Sequence, residues 1–201
     1  MKTRILLITF ILSGLIQASA QDKKFNFGLK VAPAISWLSS EQSGVSGDGA
    51  SAKFNWGFIG ACNFTDNFAL VSGFNVNSLG GKLKREDTTK YSMGYRYSEL
   101  QLPAIFQMRS NEIFGLKIYF QLGLAAGYLM SAKDEDGEKI PKRPLNTSWI
   151  IGSGVYVPVA GNINLLGQIK YNGGLTGIGK KKTPTHQATA NFIELGLGVL
   201  F

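Results

Sequence analysis

Between Lys117 and Tyr128 the chain alternates in steps of two. Ile118, Phe120, Leu122, Leu124, Ala126 and Tyr128 form an unbroken apolar row. Lys117, Tyr119, Gln121, Gly123, Ala125 and Gly127 form a polar, small or amphipathic one. A helix would bring residues three and four apart onto one face; a period of two belongs to a β-strand with different surroundings on its two sides. The same pattern predicts eight strands: 25–38, 53–64, 68–79, 95–108, 116–130, 148–159, 162–173 and 190–201. Each has roughly the 9–11 residues that a tilted strand needs to cross a bilayer.

The connections alternate as well. Thr65-Asp66-Asn67, Arg109–Gly115 and Ala160-Gly161 are short, whereas Ser39–Ala52, Gly80–Gly94, Ser131–Thr147 and Gly174–Thr189 are long and polar. Short turns at one end and long loops at the other match outer-membrane barrels. The expected fold is therefore all-β: an eight-stranded antiparallel up-and-down transmembrane β-barrel.

Residues 1–20 read as a secretory signal peptide rather than as structure. Lys2 and Arg4 precede an apolar stretch over Ile5–Ile16, and Ala18-Ser19-Ala20 is a small-residue cleavage site. Residues 21–201 then form one barrel domain. Loss of Lys2 and Arg4 lowers the formal charge from +8 to +6. That balance suits anionic headgroups or nucleic acid; export argues against nucleic acid. Lone Cys62 excludes an intrachain disulfide framework and reads as a small hydrophobe.

The second face distinguishes a membrane barrel from a soluble periplasmic carrier of an apolar ligand. Strand seven sets Ile163, Leu165, Gly167, Ile169 and Tyr171 against Asn164, Leu166, Gln168, Lys170 and Asn172. Strand eight sets Ile193, Leu195, Leu197, Val199 and Phe201 against Phe192, Glu194, Gly196, Gly198 and Leu200. A solvated exterior would be rich in Lys and Glu. Gly, Ala, Asn, Gln and Ser instead fit a cramped polar interior, which eight strands leave just wide enough for side chains. Aromatics cluster where interfaces should lie. Trp37, Trp56, Tyr128, Trp149 and Tyr171 stand near the long-loop ends; Phe25, Phe64, Phe68, Phe106 and Phe201 stand near the short-turn ends.

Tyr97-Ser98-Glu99-Leu100-Gln101-Leu102-Pro103-Ala104 resembles a strand of the PorT-like outer-membrane β-barrel family of Bacteroidota. Phe27-Gly28-Leu29-Lys30 and Glu194-Leu195-Gly196-Leu197-Gly198-Val199-Leu200-Phe201 resemble that family's first and last strands. The resemblance implies an outer-membrane location. It also implies that Phe201 is an assembly signal read by the barrel-assembly machinery during biogenesis.

Candidate chemistry concentrates on the inward face. Lys30, Glu99, Lys170 and Glu194 carry full charges there, and burying a charge is costly unless it is paired. A seventh loop centred near residue 182 sets Lys170 opposite Glu194, and closure brings Lys30 beside strand eight. Gln101, Gln121 and Gln168 lie at similar depth. The expectation is an interior polar network, either structural or gating protons. His186, with Thr183, Thr185 or Ser148, would be needed for a rim enzyme acting on lipid; no acid–histidine–hydroxyl spacing is visible. Asp134-Glu135-Asp136-Gly137-Glu138 lacks the register of a calcium loop. Gly173, Gly174, Gly177 and Gly179 precede no helix and read as turn and strand-end glycines. No catalytic, metal or cofactor site is expected.

Lys82, Lys84, Arg85 and Lys90, then Lys139, Lys142 and Arg143, then Lys180, Lys181 and Lys182 crowd the loops. They are solvated tips or contacts to lipopolysaccharide. The expected role is structural or interaction-based in the envelope, not an open pore. Expected partners are outer-membrane lipid, lipopolysaccharide and another envelope protein.

Overall fold

The structure, a computed structural model, describes residues 24–40, 44–85, 91–161, 163–179 and 187–201. The segment expected to be a signal peptide, Lys90, Lys180, Lys181, Lys182 and His186 lie outside the described residues. Eight strands follow one another in a closed antiparallel barrel: β1 (Phe25–Ser40), β2 (Val45–Asn63), β3 (Phe68–Arg85), β4 (Tyr91–Arg109), β5 (Lys117–Asp134), β6 (Leu145–Ala160), β7 (Ile163–Gly174) and β8 (Ala188–Leu200). Every strand pairs with its sequence neighbours, and β1 pairs with β8 to close the sheet. Closure leaves no open edge to be satisfied in lipid.

The periodicity in β5 is borne out. Ile118, Phe120, Leu122, Leu124 and Tyr128 are exposed on the outer face, while Tyr119, Gln121, Ala125 and Leu129 are buried within the barrel. The same division holds in β1, where Leu29, Val31 and Ile35 face out and Lys30, Ala32, Ala34, Ser36 and Leu38 face in. A soluble protein would not leave so continuous a belt of bulky apolar side chains uncovered. In a bilayer that belt is the solvated surface.

Both aromatic groups lie at the rims of this belt. Phe68 stacks on Phe106 with centroids 5.7 Å apart at the short-turn end. At the other end Tyr171 contacts both Trp37 and Trp149, at 6.1 and 4.9 Å. The Trp149 indole lies across Gly173, where a Cβ would collide with its ring. This strand-end glycine serves close packing on the barrel wall.

The long-loop end differs from expectation. Much of Ser39–Ala52, Gly80–Gly94 and Ser131–Thr147 is strand: β2 begins at Val45, β3 runs to Arg85, β4 begins at Tyr91 and β5 runs to Asp134. The asymmetry between the two ends is thus carried largely by a wall that projects beyond the membrane. Out there the faces follow the opposite solvent rule. Leu38, Val45, Leu79, Leu83, Tyr95, Tyr97, Leu129, Ala132 and Phe192 form one buried apolar cluster inside. Lys82, Arg96 and Lys133 point out into water. Polar residues alternating with buried ones there are the exposed face of a water-soluble wall.

A bulge supports this change in β5. Leu129 pairs with Glu99 and Ser131 with Ser98, so Met130 is an extra residue with no partner of its own. Inward positions are odd-numbered up to Leu129 and even-numbered from Ala132. The β2–β3 ladder is also interrupted, between the pairs Gly49–Lys82 and Trp56–Val76. Two β3 amides in that gap find side chains instead: Ser78 N–H donates to Asn55 Oδ1 at 3.0 Å and Gly80 N–H to Ser36 Oγ at 3.0 Å.

Candidate functional site in the barrel lumen

The inward residues of the membrane-spanning wall build a polar layer beneath the apolar cluster. At its centre Glu194 Oε1 accepts from Lys30 Nζ at 2.6 Å and from Lys170 Nζ at 2.8 Å. The register accounts for the Lys170 contact and barrel closure for that of Lys30, whose own partner on β8 is Gly198. Lys170 is the direct cross-strand partner of Glu194. Lys30 comes from β1 across the closing seam, where β1 pairs with β8. The second carboxylate oxygen accepts from Asn55 Nδ2 at 3.1 Å. All three charged groups are almost wholly buried, Glu194 completely.

The glutamines extend this centre. Gln168 donates to Glu194 at 3.5 Å and accepts from Gln121 at 3.4 Å and from Tyr119 at 3.1 Å. Gln101 belongs to an adjoining group: it donates to Ser148 Oγ at 3.2 Å and accepts from Asn75 at 3.5 Å. Glu99 is held by amides, with Asn77 Nδ2 at 3.5 Å, and no lysine reaches it among the described residues. The seven expected interior residues are therefore inside, but they divide into the charged triad with Gln168 and Gln121, an adjoining group around Gln101, and the separate amide-held carboxyl of Glu99.

Sequence reading missed the layer nearest the short turns. Arg109 donates to Gln107 at 2.8 Å and to Asn63 at 2.8 Å, and lies over the Tyr156 ring at 5.2 Å. Tyr156 also donates to Gln107 at 3.1 Å and stacks on Tyr119. Arg109 stood in the sequence as a turn residue. Only the β4–β5 pairing out to Arg109–Tyr119 shows that it caps the lumen.

The arrangement is suited to filling space and fixing strand positions. The Ser148 hydroxyl accepts the Gln101 amide within the lumen and is not turned to a rim. Asp134 Oδ1 accepts the Glu138 amide at 2.8 Å within its own turn, and Glu135 Oε2 accepts the Gly94 amide of β4 at 3.2 Å, so both carboxylates hold backbone. Cys62 sits half-buried on the lipid-facing row, paired with Leu70.

Comparison with known proteins agrees with this architecture. Residues 17–179 match the family described as outer membrane protein beta-barrel domain. The crystal structure of Neisserial surface protein A is similar, with a TM-score of 0.58 and 15% identity over 89% of this chain and 96% of that one. The outer membrane protein OprG of Pseudomonas aeruginosa has a TM-score of 0.55 and 10% identity, over 88% of this chain and 95% of that one. Identities this low speak for a shared fold alone. No curated protein matches the sequence.

Residence in the membrane has a direct readout. The protein is expected to stay with the outer-membrane fraction through sodium carbonate washing and to migrate differently in detergent gels before and after boiling. Release as a soluble monomer would contradict the lipid-facing assignment of the apolar row. That row, the closed barrel and a family match over most of the chain lead to one conclusion: this protein belongs to the outer membrane protein beta-barrel domain family and resides in the outer membrane.

Proposed function

We propose that the protein is a structural or interaction component of the cell envelope and not an open pore or an enzyme. The observation that carries this reading is the filling of the lumen. Its membrane-level half holds the polar groups together with a second buried apolar cluster that includes Ile59, Val71, Ile105, Ile150 and Leu166, and Leu38, Leu79, Tyr95, Tyr97, Leu129 and Phe192 pack above them. A continuous aqueous path would have to displace that apolar cluster. The conductance of single reconstituted barrels in planar bilayers tests this. The expected trace carries no steady porin-like current; stable large-channel currents from purified monomer would overturn the proposal.

The partners proposed with it are outer-membrane lipid and lipopolysaccharide at the wall, the barrel-assembly machinery during biogenesis, and another envelope protein at the projecting end. Placement within the PorT-like group rests on the Tyr97–Ala104 segment, which forms the middle of β4 and supplies Glu99 and Gln101 to the lumen. Phe201 is proposed as the residue recognised during assembly. Its backbone exchanges hydrogen bonds with Phe27 at the closing seam, at 3.2 and 2.7 Å.

A further inference from the structure

On the outer wall, the cross-strand register lines up cations that no sequence spacing connects. Arg96 of β4 and Lys133 of β5 are direct partners, both exposed. Gly80 of β3 is the partner of Arg96 on the other side. The Lys53 stem from β2 crosses the space left by the missing Gly80 side chain, its Cε 2.9 Å from where a Cβ would stand. Lys53 can reach over because the β2–β3 ladder is open at that height. Lys53, Arg96 and Lys133 thus converge across four strands on one cavity of about 650 Å³.

Like charges placed directly opposite on a sheet destabilise it. Among the described residues the ion pairs are Lys30–Glu194 and Lys170–Glu194, both inside the lumen. Glu135 makes no ion pair with the row: its carboxylate accepts the Gly94 amide at 3.2 Å, and Arg96 donates to its backbone oxygen at 3.1 Å. Among the described residues, the wall therefore holds converging cations with no carboxylate in an ion pair to them. Ser78, Ser98 and Ser131 line the same cavity and add hydroxyl donors. Hydroxyls among guanidinium and ammonium groups suit the several acceptor oxygens of a phosphate.

The cavity also includes Phe54, which is 54% exposed on the lipid-facing row immediately beside Lys53. An apolar floor continuous with the membrane belt, under a basic roof, has the amphipathic order of a lipid. From this geometry we infer that Lys53, Arg96 and Lys133 form a binding site for the phosphate-bearing headgroup of an outer-leaflet lipid, with Phe54 against the start of its acyl portion. The site rests on the contact with outer-membrane lipid and lipopolysaccharide proposed above, with the projecting wall on the outer side, and names where on the wall such a lipid is held.

The test uses the full barrel purified in detergent, with lipid A as the probe and native mass spectrometry to count the lipid retained. The variant carries Lys53→Gln, Arg96→Gln and Lys133→Gln. A control carries Lys24→Gln and Lys117→Gln, basic residues near the short-turn end. Loss of three surface cations is expected to weaken retention on the order of 100-fold, while the control retains lipid A as the parent does. Added lipid A should raise the unfolding temperature of the parent and not of the triple variant. Equal retention by parent and triple variant would overturn the site. Equal loss in the control would reduce it to bulk charge. Inorganic phosphate that stabilises the parent as much as lipid A would assign the cations to a free anion and refute the lipid. The boiling-dependent gel shift and bilayer conductance are read on the same variant. If both match the parent while retention is unchanged, the site fails and the proposed envelope role stands.

Discussion

Replacing Glu194 with alanine will cost the barrel about 3–5 kcal/mol of stability, more than the loss of either lysine it binds. The triad holds two ammonium groups on one carboxylate oxygen, at 2.6 and 2.8 Å. Without the carboxylate, Lys30 and Lys170 face each other in a site closed to bulk water. Two unit charges roughly 5 Å apart repel by about 3 kcal/mol even at an effective dielectric near 20. Desolvation then has nothing to offset it. Lys170→Met is different, because it leaves a balanced Lys30–Glu194 pair. Lys170→Met combined with Glu194→Leu should cost less than the two single changes together, and adding Lys30→Met should recover more. Urea unfolding of the barrel in lipid vesicles measures the whole series. Strict additivity would show that the groups do not act as a unit; equal costs for the lysine and glutamate changes would contradict a carboxylate shared by two cations.

Truncation after Leu200 will reduce assembly in cells far more than it reduces refolding in detergent. Phe201 contributes twice at the closing seam. Its backbone donates to Phe27 at 2.7 Å and accepts from it at 3.2 Å, and its ring stands 53% exposed on the lipid-facing side. Removing the residue leaves the Phe27 groups unpaired beside lipid, which weakens closure in either setting. A purely local contribution would lower both yields alike. Recognition of the aromatic during assembly adds a loss that appears only in cells, read as the heat-shifted band recovered in the outer-membrane fraction. Equal losses in the two settings would leave Phe201 as an ordinary apolar contact. Full cellular assembly of the truncated chain would remove any special role for it.

The membrane-spanning part was legible because lipid imposes a simple rule on each strand. Bulky apolar residues must alternate outward, and the period of two in Lys117–Tyr128 has no other economical explanation. The pairing of Lys170 with Glu194 was legible too, since a hairpin fixes its own register once its centre is placed. Lys30 followed from closure. The projecting wall was hidden for two physical reasons. Its exposed face is polar, so composition resembles a loop. In β5 the pattern also changes phase at Met130, and a phase change in sequence looks the same as the end of a strand. The basic row of Lys53, Arg96 and Lys133 was invisible for another reason: Arg96 and Lys133 meet by interstrand register, Lys53 joins them across an open ladder, and the three are scattered through what reads as two strand starts and a loop. Arg109 was missed likewise, as the last residue of a strand whose side chain turns under the barrel.

The bulge at Met130 has a consequence for how this chain can change its length. Within Leu122–Tyr128, deleting one residue would exchange the two faces of everything beyond it, setting Leu and Tyr against the lumen and Gly or Ala against lipid. Met130 is an exception. Without it Leu129 still faces in, Ser131 takes the outward place, and Ala132 and Lys133 keep the sides they already occupy. The bulge acts as a slack link between two rigid phases. It marks a position where a one-residue deletion leaves the barrel right side out, and where β5 can be shortened in evolution or by design without inverting the wall above it.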